Sequence, residues 1–92
     1  MEVMLDGRLM VSREAVHDLL AQKLELPDYY GRNLDALFDV LSEYPVRVHI
    51  KLSCMTAMQD LLGNYAKALI KTLTDAASAF PNVEFSVSDE IF

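Results

Sequence analysis

The sequence predicts an α/β fold, a three-stranded parallel sheet packed with four helices in the chain order β-α-α-β-α-α-β. Two segments, residues 46–52 and 83–87, alternate apolar and polar side chains with the period of two that is typical of a half-buried strand. Longer segments repeat apolar residues every three or four positions, which indicates helices between the strands. Strands joined by helical crossovers are normally parallel, so the order of elements predicts the topology. The polar alternation also predicts that one face of the sheet is covered less completely.

The first predicted strand and the first predicted helix occupy the start of the chain. The strand covers residues 2–5 and is closed by the turn pair Asp6-Gly7. The helix begins at Ser12, whose hydroxyl can accept a hydrogen bond from the first turn. It ends before Pro27, because a proline disfavours the helical conformation of the residue that precedes it.

A loop at residues 28–33 separates the first helix from the second. The second helix is predicted over residues 33–41, and the side-chain oxygen of Asn33 can cap its first turn. The alternating segment at residues 46–52 then forms the second strand.

Two further helices and a strand complete the predicted fold. Ser53 can cap a short third helix that ends at Gly63, since glycine often follows the last helical residue. Asn64 can cap a fourth helix, which Pro81 stops. The last strand covers residues 83–87.

The composition indicates one folded domain over residues 1–92. Hydrophobic residues make up 52% of the chain and charged residues 24%, which is typical of a globular protein rather than a disordered one. Cys54 is the single cysteine, so no internal disulfide can form, and the N-terminus lacks the pattern of a secretory signal. No apolar run is long enough to span a membrane. We therefore expect a cytoplasmic protein that makes no membrane contact, is a monomer when free and needs no cofactor or metal.

The negative charge is concentrated in one segment. The chain carries a net charge of −6, and residues 25–43 contribute −4 of it, from five carboxylates and the single base Arg32. Such a charge argues against direct nucleic-acid binding, which needs cations that displace counterions from phosphates. It favours a basic protein partner instead.

The second helix presents an acidic face opposite its apolar face. A helical wheel places Asp35 and Asp39 away from the core, with Phe38 at the border between the two faces. Asp35 lies in the first turn, where its carboxylate serves either the helix dipole or a partner. Asp39 opposes the dipole near the C-terminus and has no base three or four positions away, which favours a binding role. Phe38 either belongs to the core or is an interface aromatic.

The loop before this helix contains two adjacent tyrosines and a glycine. One of Tyr29 and Tyr30 is expected to pack under the loop while the other projects from it. Gly31 either supplies a positive φ or lets a partner approach the backbone closely.

The segment L-x-L-P-x-Y-Y-G-x-N-L-D-A-L-x-D-x-L at residues 24–41 resembles the signature of the barstar family of ribonuclease inhibitors. Glu43-Tyr44-Pro45 and a strand follow it, again as in that family. The order of elements also agrees over the whole chain, although outside residues 24–45 the similarity is one of pattern. The resemblance implies a barstar-like fold.

The resemblance also implies a function and a contact surface. The loop and second helix would enter the active site of a basic, barnase-like ribonuclease, with Asp39 in the pocket that normally holds the substrate phosphate. Tyr29 would pack on the catalytic histidine of the enzyme, and an acidic residue of the last helix, here Asp75, would lie beside the interface. The predicted partner-binding residues are Tyr29, Tyr30, Gly31, Asn33, Leu34, Asp35, Phe38, Asp39 and Asp75.

Three departures from the family pattern bear on the target. Phe38 stands where the family commonly has tryptophan, Asp75 stands where it has glutamate, and the connection before Glu43 is shorter. Tyr44-Pro45 matches a position that is cis in the family. Asp75 has an alternative interpretation as a surface charge paired with Lys71, one turn away.

Three other functions are alternatives to inhibition of a ribonuclease. Cys54 with His17 or His49 would be needed for nucleophilic catalysis, but His17 is predicted on the polar side of the first helix and no third orienting group is evident. The same three residues show no metal-ligand spacing. The stronger alternative is a barstar-like interaction or immunity module that binds a different basic partner, such as a toxin domain.

Overall fold

The computed structural model describes residues 1–90 and has the predicted α/β architecture, with three strands and four helices in the order β-α-α-β-α-α-β. The final two residues of the predicted domain lie outside this range. A 3₁₀ turn that the sequence did not predict, Gly7–Leu9, follows the first strand. The elements are β1 (Glu2–Asp6), α1 (Arg13–Lys23), α2 (Leu34–Ser42), β2 (Val48–Ser53), α3 (Met55–Leu62), α4 (Asn64–Ala79) and β3 (Val83–Val87).

The sheet has the order β1-β2-β3, and both strand pairs are parallel. Ile50 of β2 pairs with Val3 on one side and with Phe85 on the other. The inward residues of β1 and β2 are buried, whereas Glu2 and Met4 on the opposite face are exposed. The expectation of one less covered face is therefore confirmed.

The helices bury their apolar faces against one another and against the inner face of the sheet. Leu37 and Leu41 anchor α2 in this core, and both are 0% exposed. Full burial of a leucine side chain stabilises the fold by about 1.5–3 kcal/mol. The opposite face of α2 is therefore free to carry polar side chains. Other fully buried core side chains include Leu5, Leu20, Ile50, Leu52, Met58, Leu69 and Leu73.

Two of the four predicted helix caps are confirmed. The Ser12 hydroxyl accepts a hydrogen bond from the backbone N–H of Ala15 at 3.0 Å. The Asn33 side-chain oxygen accepts one from the backbone N–H of Ala36 at 2.7 Å. Both residues satisfy an N–H group that the helix itself leaves without a partner.

The other two predicted caps are wrong. Ser53 belongs to β2, and its buried hydroxyl donates to the carbonyl oxygen of Leu5 across the sheet. Cys54 occupies the cap position of α3 with φ 57° and makes no side-chain cap. Asn64 is the first residue of α4 rather than its cap. Gly63 lies between the two helices and ends α3 as predicted, its N–H donating to the carbonyl oxygen of Gln59.

Two smaller expectations concern the connection between α2 and β2. The strand begins at Val48 rather than at position 46, where Val46 is exposed. The Tyr44–Pro45 bond is trans, since residues 1–90 contain no cis peptide bond.

Within residues 1–90, no helix combines the length and apolar character that crossing a bilayer requires.

Gly7 lies buried at the start of the 3₁₀ turn, against the end of β2. A Cβ atom at this position would lie 2.4 Å from the carbonyl oxygen of Cys54 and 2.8 Å from that of Ser53. Both are backbone atoms, so they cannot rotate away as a flexible side chain can. Glycine is required here by the close approach of two backbone segments.

Gly7→Ala is therefore expected to destabilise the protein, because the turn or the end of β2 must shift to accept the methyl group. Overpacking of this kind costs about 1–3 kcal/mol. Urea denaturation of the variant and the wild type measures the difference. Leu9→Ala in the same turn is the control, since Leu9 is 57% exposed and should change stability by less than about 0.5 kcal/mol. Equal stability of Gly7→Ala and the wild type would contradict the steric argument.

Candidate functional site

The loop that precedes α2 is held by local backbone geometry. The N–H of Tyr30 donates to the carbonyl oxygen of Pro27 at 3.0 Å, which closes a turn. Arg32 adopts a left-handed conformation with φ 56° and directs the chain into the Asn33 cap. The loop thereby enters the helix in one defined direction.

Gly31 is not the residue with positive φ, so the first of its two interpretations is wrong; Arg32 has that conformation instead. A Cβ atom at Gly31 would lie 3.0 Å from the Cβ of Ala36, which is closer than most Cβ contacts in proteins. Glycine therefore fits here because the loop passes close to the first turns of α2. Close approach of a partner to Gly31 stays a prediction.

One of the two tyrosines is exposed and the other is packed inside, as expected. Tyr29 is 86% exposed and projects from the loop, whereas Tyr30 is 7% exposed and belongs to the core. The Tyr30 hydroxyl is hydrogen-bonded to Nδ1 of His17 at 2.7 Å. Burial raises the pKa of the Tyr30 hydroxyl, so it remains protonated.

His17 is buried, and the prediction that it lies on the polar side of the first helix is wrong. Burial, together with the nearby Arg32 cation, lowers the pKa of His17 below its ordinary 6.5. His17 precedes Leu20 by three residues and Leu24 by seven, so it lies on the same apolar helix face as these leucines. That spacing could have predicted its burial.

Asp39 lies with the loop around one surface depression of about 350 Å³. Tyr29, Tyr30 and Gly31 line this depression from the loop, and Glu43 lines it beyond the end of α2. Asp39 itself is exposed, and it makes no ion pair with any residue of the described chain. No basic side chain of residues 1–90 lines the depression. The carboxylates of Asp39 and Glu43 are therefore available to a cation of a partner.

Asp35 lies on a second depression, of about 730 Å³, together with Asn33 and Leu34. Arg13 and Arg32 also line this depression. The local charge is therefore mixed around Asp35 and acidic around Asp39. Both roles considered for Asp35, at the helix dipole and toward a partner, fit its exposed position in the first turn of α2.

Phe38 and Asp75 line neither depression. Phe38 is partly buried and packs on Phe80, with the ring centroids 4.8 Å apart. Asp75 is exposed and accepts a hydrogen bond from Nζ of Lys71 at 2.9 Å, the pairing that its alternative interpretation describes. A partner contact by either residue stays a prediction.

The residues of the enzymatic alternative are not brought together. His17 is hydrogen-bonded through both ring nitrogens to Tyr30 and Tyr65. His49 is hydrogen-bonded to Ser86 on the open face of the sheet. Residues 1–90 contain no cluster of three or more His, Cys, Asp or Glu side chains that could hold a metal ion.

Comparison with known proteins identifies the family of the chain. The family model described as "Barstar (barnase inhibitor)" matches residues 1–90. A protein of Bacillus subtilis (strain 168) named "Putative ribonuclease inhibitor YrdF" is 37% identical over 76 residues, which cover 82% of this chain and 84% of that protein. The family is one of inhibitors rather than of enzymes. By its matched length, its fold and its 24–41 segment, the chain belongs to the barstar family.

Proposed function

We propose that the protein is a cytoplasmic inhibitor of a small, basic microbial ribonuclease, and that it blocks the active site with the loop at residues 28–33 and helix α2. The observation that carries the proposal is the acidic depression around Asp39. Its lining includes two exposed carboxylates, Asp39 and Glu43, and the projecting ring of Tyr29, and it includes no basic side chain of residues 1–90. Its chemistry complements a cleft that binds the phosphates of RNA.

Asp39 is the residue that replaces the substrate phosphate in this proposal. A carboxylate offers acceptor oxygens to arginine, lysine and protonated histidine much as a phosphate does, and bidentate pairing with arginine strengthens the contact. Enclosure of the pair by the interface lowers the local dielectric constant and increases its attraction. Tyr29 contributes apolar area at the edge of the same depression, where it would exclude water from the ion pair.

The contact surface is held in shape before a partner arrives. The Asn33 cap, the Pro27–Tyr30 turn and the buried Leu37 define the position of the loop relative to α2. A surface that is ordered in the free protein loses less conformational entropy on binding. A single free thiol, Cys54, fits a reducing compartment, which is why we place the inhibitor in the cytoplasm.

Titration of the protein into a barnase activity assay tests the proposal. Inhibition should be complete near one equivalent at micromolar enzyme, and it should be competitive with RNA because both occupy the same cleft. Full enzyme activity with micromolar protein present would contradict the assignment of a barnase-like target. Capture of a basic toxin domain in place of a ribonuclease would then support the interaction-module alternative.

The rate of association should fall steeply as salt rises. Residues 25–43 carry −4 of the net charge of −6, so a basic enzyme is attracted from a distance at low ionic strength. At 0.1 M salt the screening length is about 10 Å, and at 1 M it is about 3 Å. Stopped-flow association between these two concentrations measures the effect. A rate that does not change with salt would contradict electrostatic steering.

A further inference from the structure

A chain of three hydrogen-bonded rings connects the loop to the core of the protein. Nδ1 of His17 is 2.7 Å from the hydroxyl oxygen of Tyr30, and Nε2 is 2.7 Å from that of Tyr65. The three residues come from three different segments: His17 from α1, Tyr30 from the loop and Tyr65 from the first turn of α4. The chain therefore ties the loop to two helices at once.

Each bond in this chain constrains the other. A neutral imidazole has one N–H donor and one acceptor nitrogen, so one tyrosine hydroxyl accepts from the ring while the other donates to it. Tyr30 and His17 are 7% and 2% exposed, so water has little access to replace either partner. The outer end is also fixed, because the guanidinium carbon of Arg13 lies 4.5 Å from the centroid of the Tyr65 ring.

We propose that Tyr65 is a positioning residue for the inhibitory loop: it orients the His17 imidazole, which holds Tyr30 and so keeps Tyr29 and Gly31 in the arrangement that binds the ribonuclease. Tyr65 lies outside the depression around Asp39, although it lines the depression around Asp35, and its proposed effect on the loop passes through His17. The inference rests on the function proposed above. Its physical basis is that the observed affinity falls with the fraction of molecules whose loop is in the binding arrangement.

Tyr65→Phe removes the hydroxyl and retains the aromatic ring under Arg13. The inhibition constant for barnase should rise about three- to tenfold, because one of the hydrogen bonds that support the loop is lost. Ser53→Ala is the matched control, since it also removes a hydroxyl hydrogen bond in the interior but acts between β1 and β2. Its inhibition constant should stay within twofold of the wild type, at a similar loss of stability.

Two further measurements separate positioning from a merely structural role. The nitrogen chemical shifts of the His17 ring should change in folded Tyr65→Phe, because Nε2 has lost its partner. The effects of Tyr30→Phe and Tyr65→Phe on the inhibition constant should be less than additive, because both act through one imidazole. An unchanged inhibition constant in folded Tyr65→Phe, or fully additive effects, would overturn the proposal.

Hydrogen exchange in the free protein distinguishes failure of this inference from failure of the proposed function. The Tyr30 N–H, which donates to Pro27, should exchange about three- to tenfold faster in Tyr65→Phe and at the wild-type rate in Ser53→Ala. If barnase is not inhibited by the wild type but this exchange increases, the function is wrong and the positioning role stands. If exchange at Tyr30 is unchanged, the positioning role is wrong whatever the target.

Discussion

Asp39→Ala is expected to raise the inhibition constant for barnase by at least about a hundredfold. In the proposed complex the Asp39 carboxylate is enclosed among cations of the enzyme, and its removal leaves them desolvated without a counterion. The loss of one partner from a buried ion pair costs about 3–5 kcal/mol, and each 1.4 kcal/mol is a factor of about ten in affinity. Competition assays with RNA substrate measure the change.

Asp60→Ala is the matched control for this substitution. Asp60 is an exposed carboxylate on α3, so its removal changes the net charge equally but leaves the depression around Asp39 intact. We expect a change in the inhibition constant of less than about threefold, mostly through weaker steering. If Asp39→Ala inhibits as well as Asp60→Ala, then the phosphate-replacement mechanism is wrong.

The stability of Asp39→Ala is expected to equal or exceed that of the wild type. Asp39 lies in the second half of α2, where a negative charge opposes the helix dipole, and no basic residue within residues 1–90 pairs with it. Alanine is the better helix former by up to about 0.7 kcal/mol. A loss of inhibition together with unchanged or higher stability would identify a residue that serves binding rather than folding.

Leu37→Ala is expected to cause the largest loss of stability among these variants. Leu37 is 0% exposed and fastens α2 to the core from the side opposite its acidic face. Replacement of a buried leucine by alanine leaves a cavity and costs about 2–5 kcal/mol. In a domain of this size such a loss lowers Tm by more than about 10 °C. Thermal and urea denaturation followed by circular dichroism measure both quantities.

Leu61→Ala provides the same chemical change on an exposed site of α3. Leu61 is 46% exposed, so we expect a change in the free energy of unfolding within about 0.5 kcal/mol. Comparable stability of the two variants would contradict the anchoring role of Leu37.

Repeating patterns along the chain were enough to predict the architecture. The alternation at residues 46–52 and 83–87 and the apolar stripes between them determine which faces are buried, and each signal extends over several residues. The Ser12 and Asn33 caps were predictable because each depends only on a side chain and the turn that follows it. By contrast, Ser53 and Asn64 resemble caps only in the local sequence. Ser53 is instead part of β2, which pairs with β1, and Gly63 rather than Asn64 occupies the cap position of α4.

The sequence pointed to only part of the candidate site. The charge pattern and the 24–41 segment led to Asp35 and Asp39 as contact residues, which stays a prediction, and they did not single out Glu43, which lines the depression beside Asp39. The bonds from His17 to Tyr30 and Tyr65 join residues 13 and 48 positions apart, and no local pattern encodes such a distance. The left-handed conformation of Arg32 was also missed, because glycine usually adopts that geometry and Gly31 is the adjacent residue.

The placement of β2 at the centre of the sheet has a consequence for folding of the protein. Both of its edges must be paired, and β3 begins thirty residues after β2 ends. Until β3 is paired, the apolar β2 has an open edge, which is a template for pairing with other chains. A partly folded chain in which β3 is detached is therefore the species expected to associate with further copies of itself.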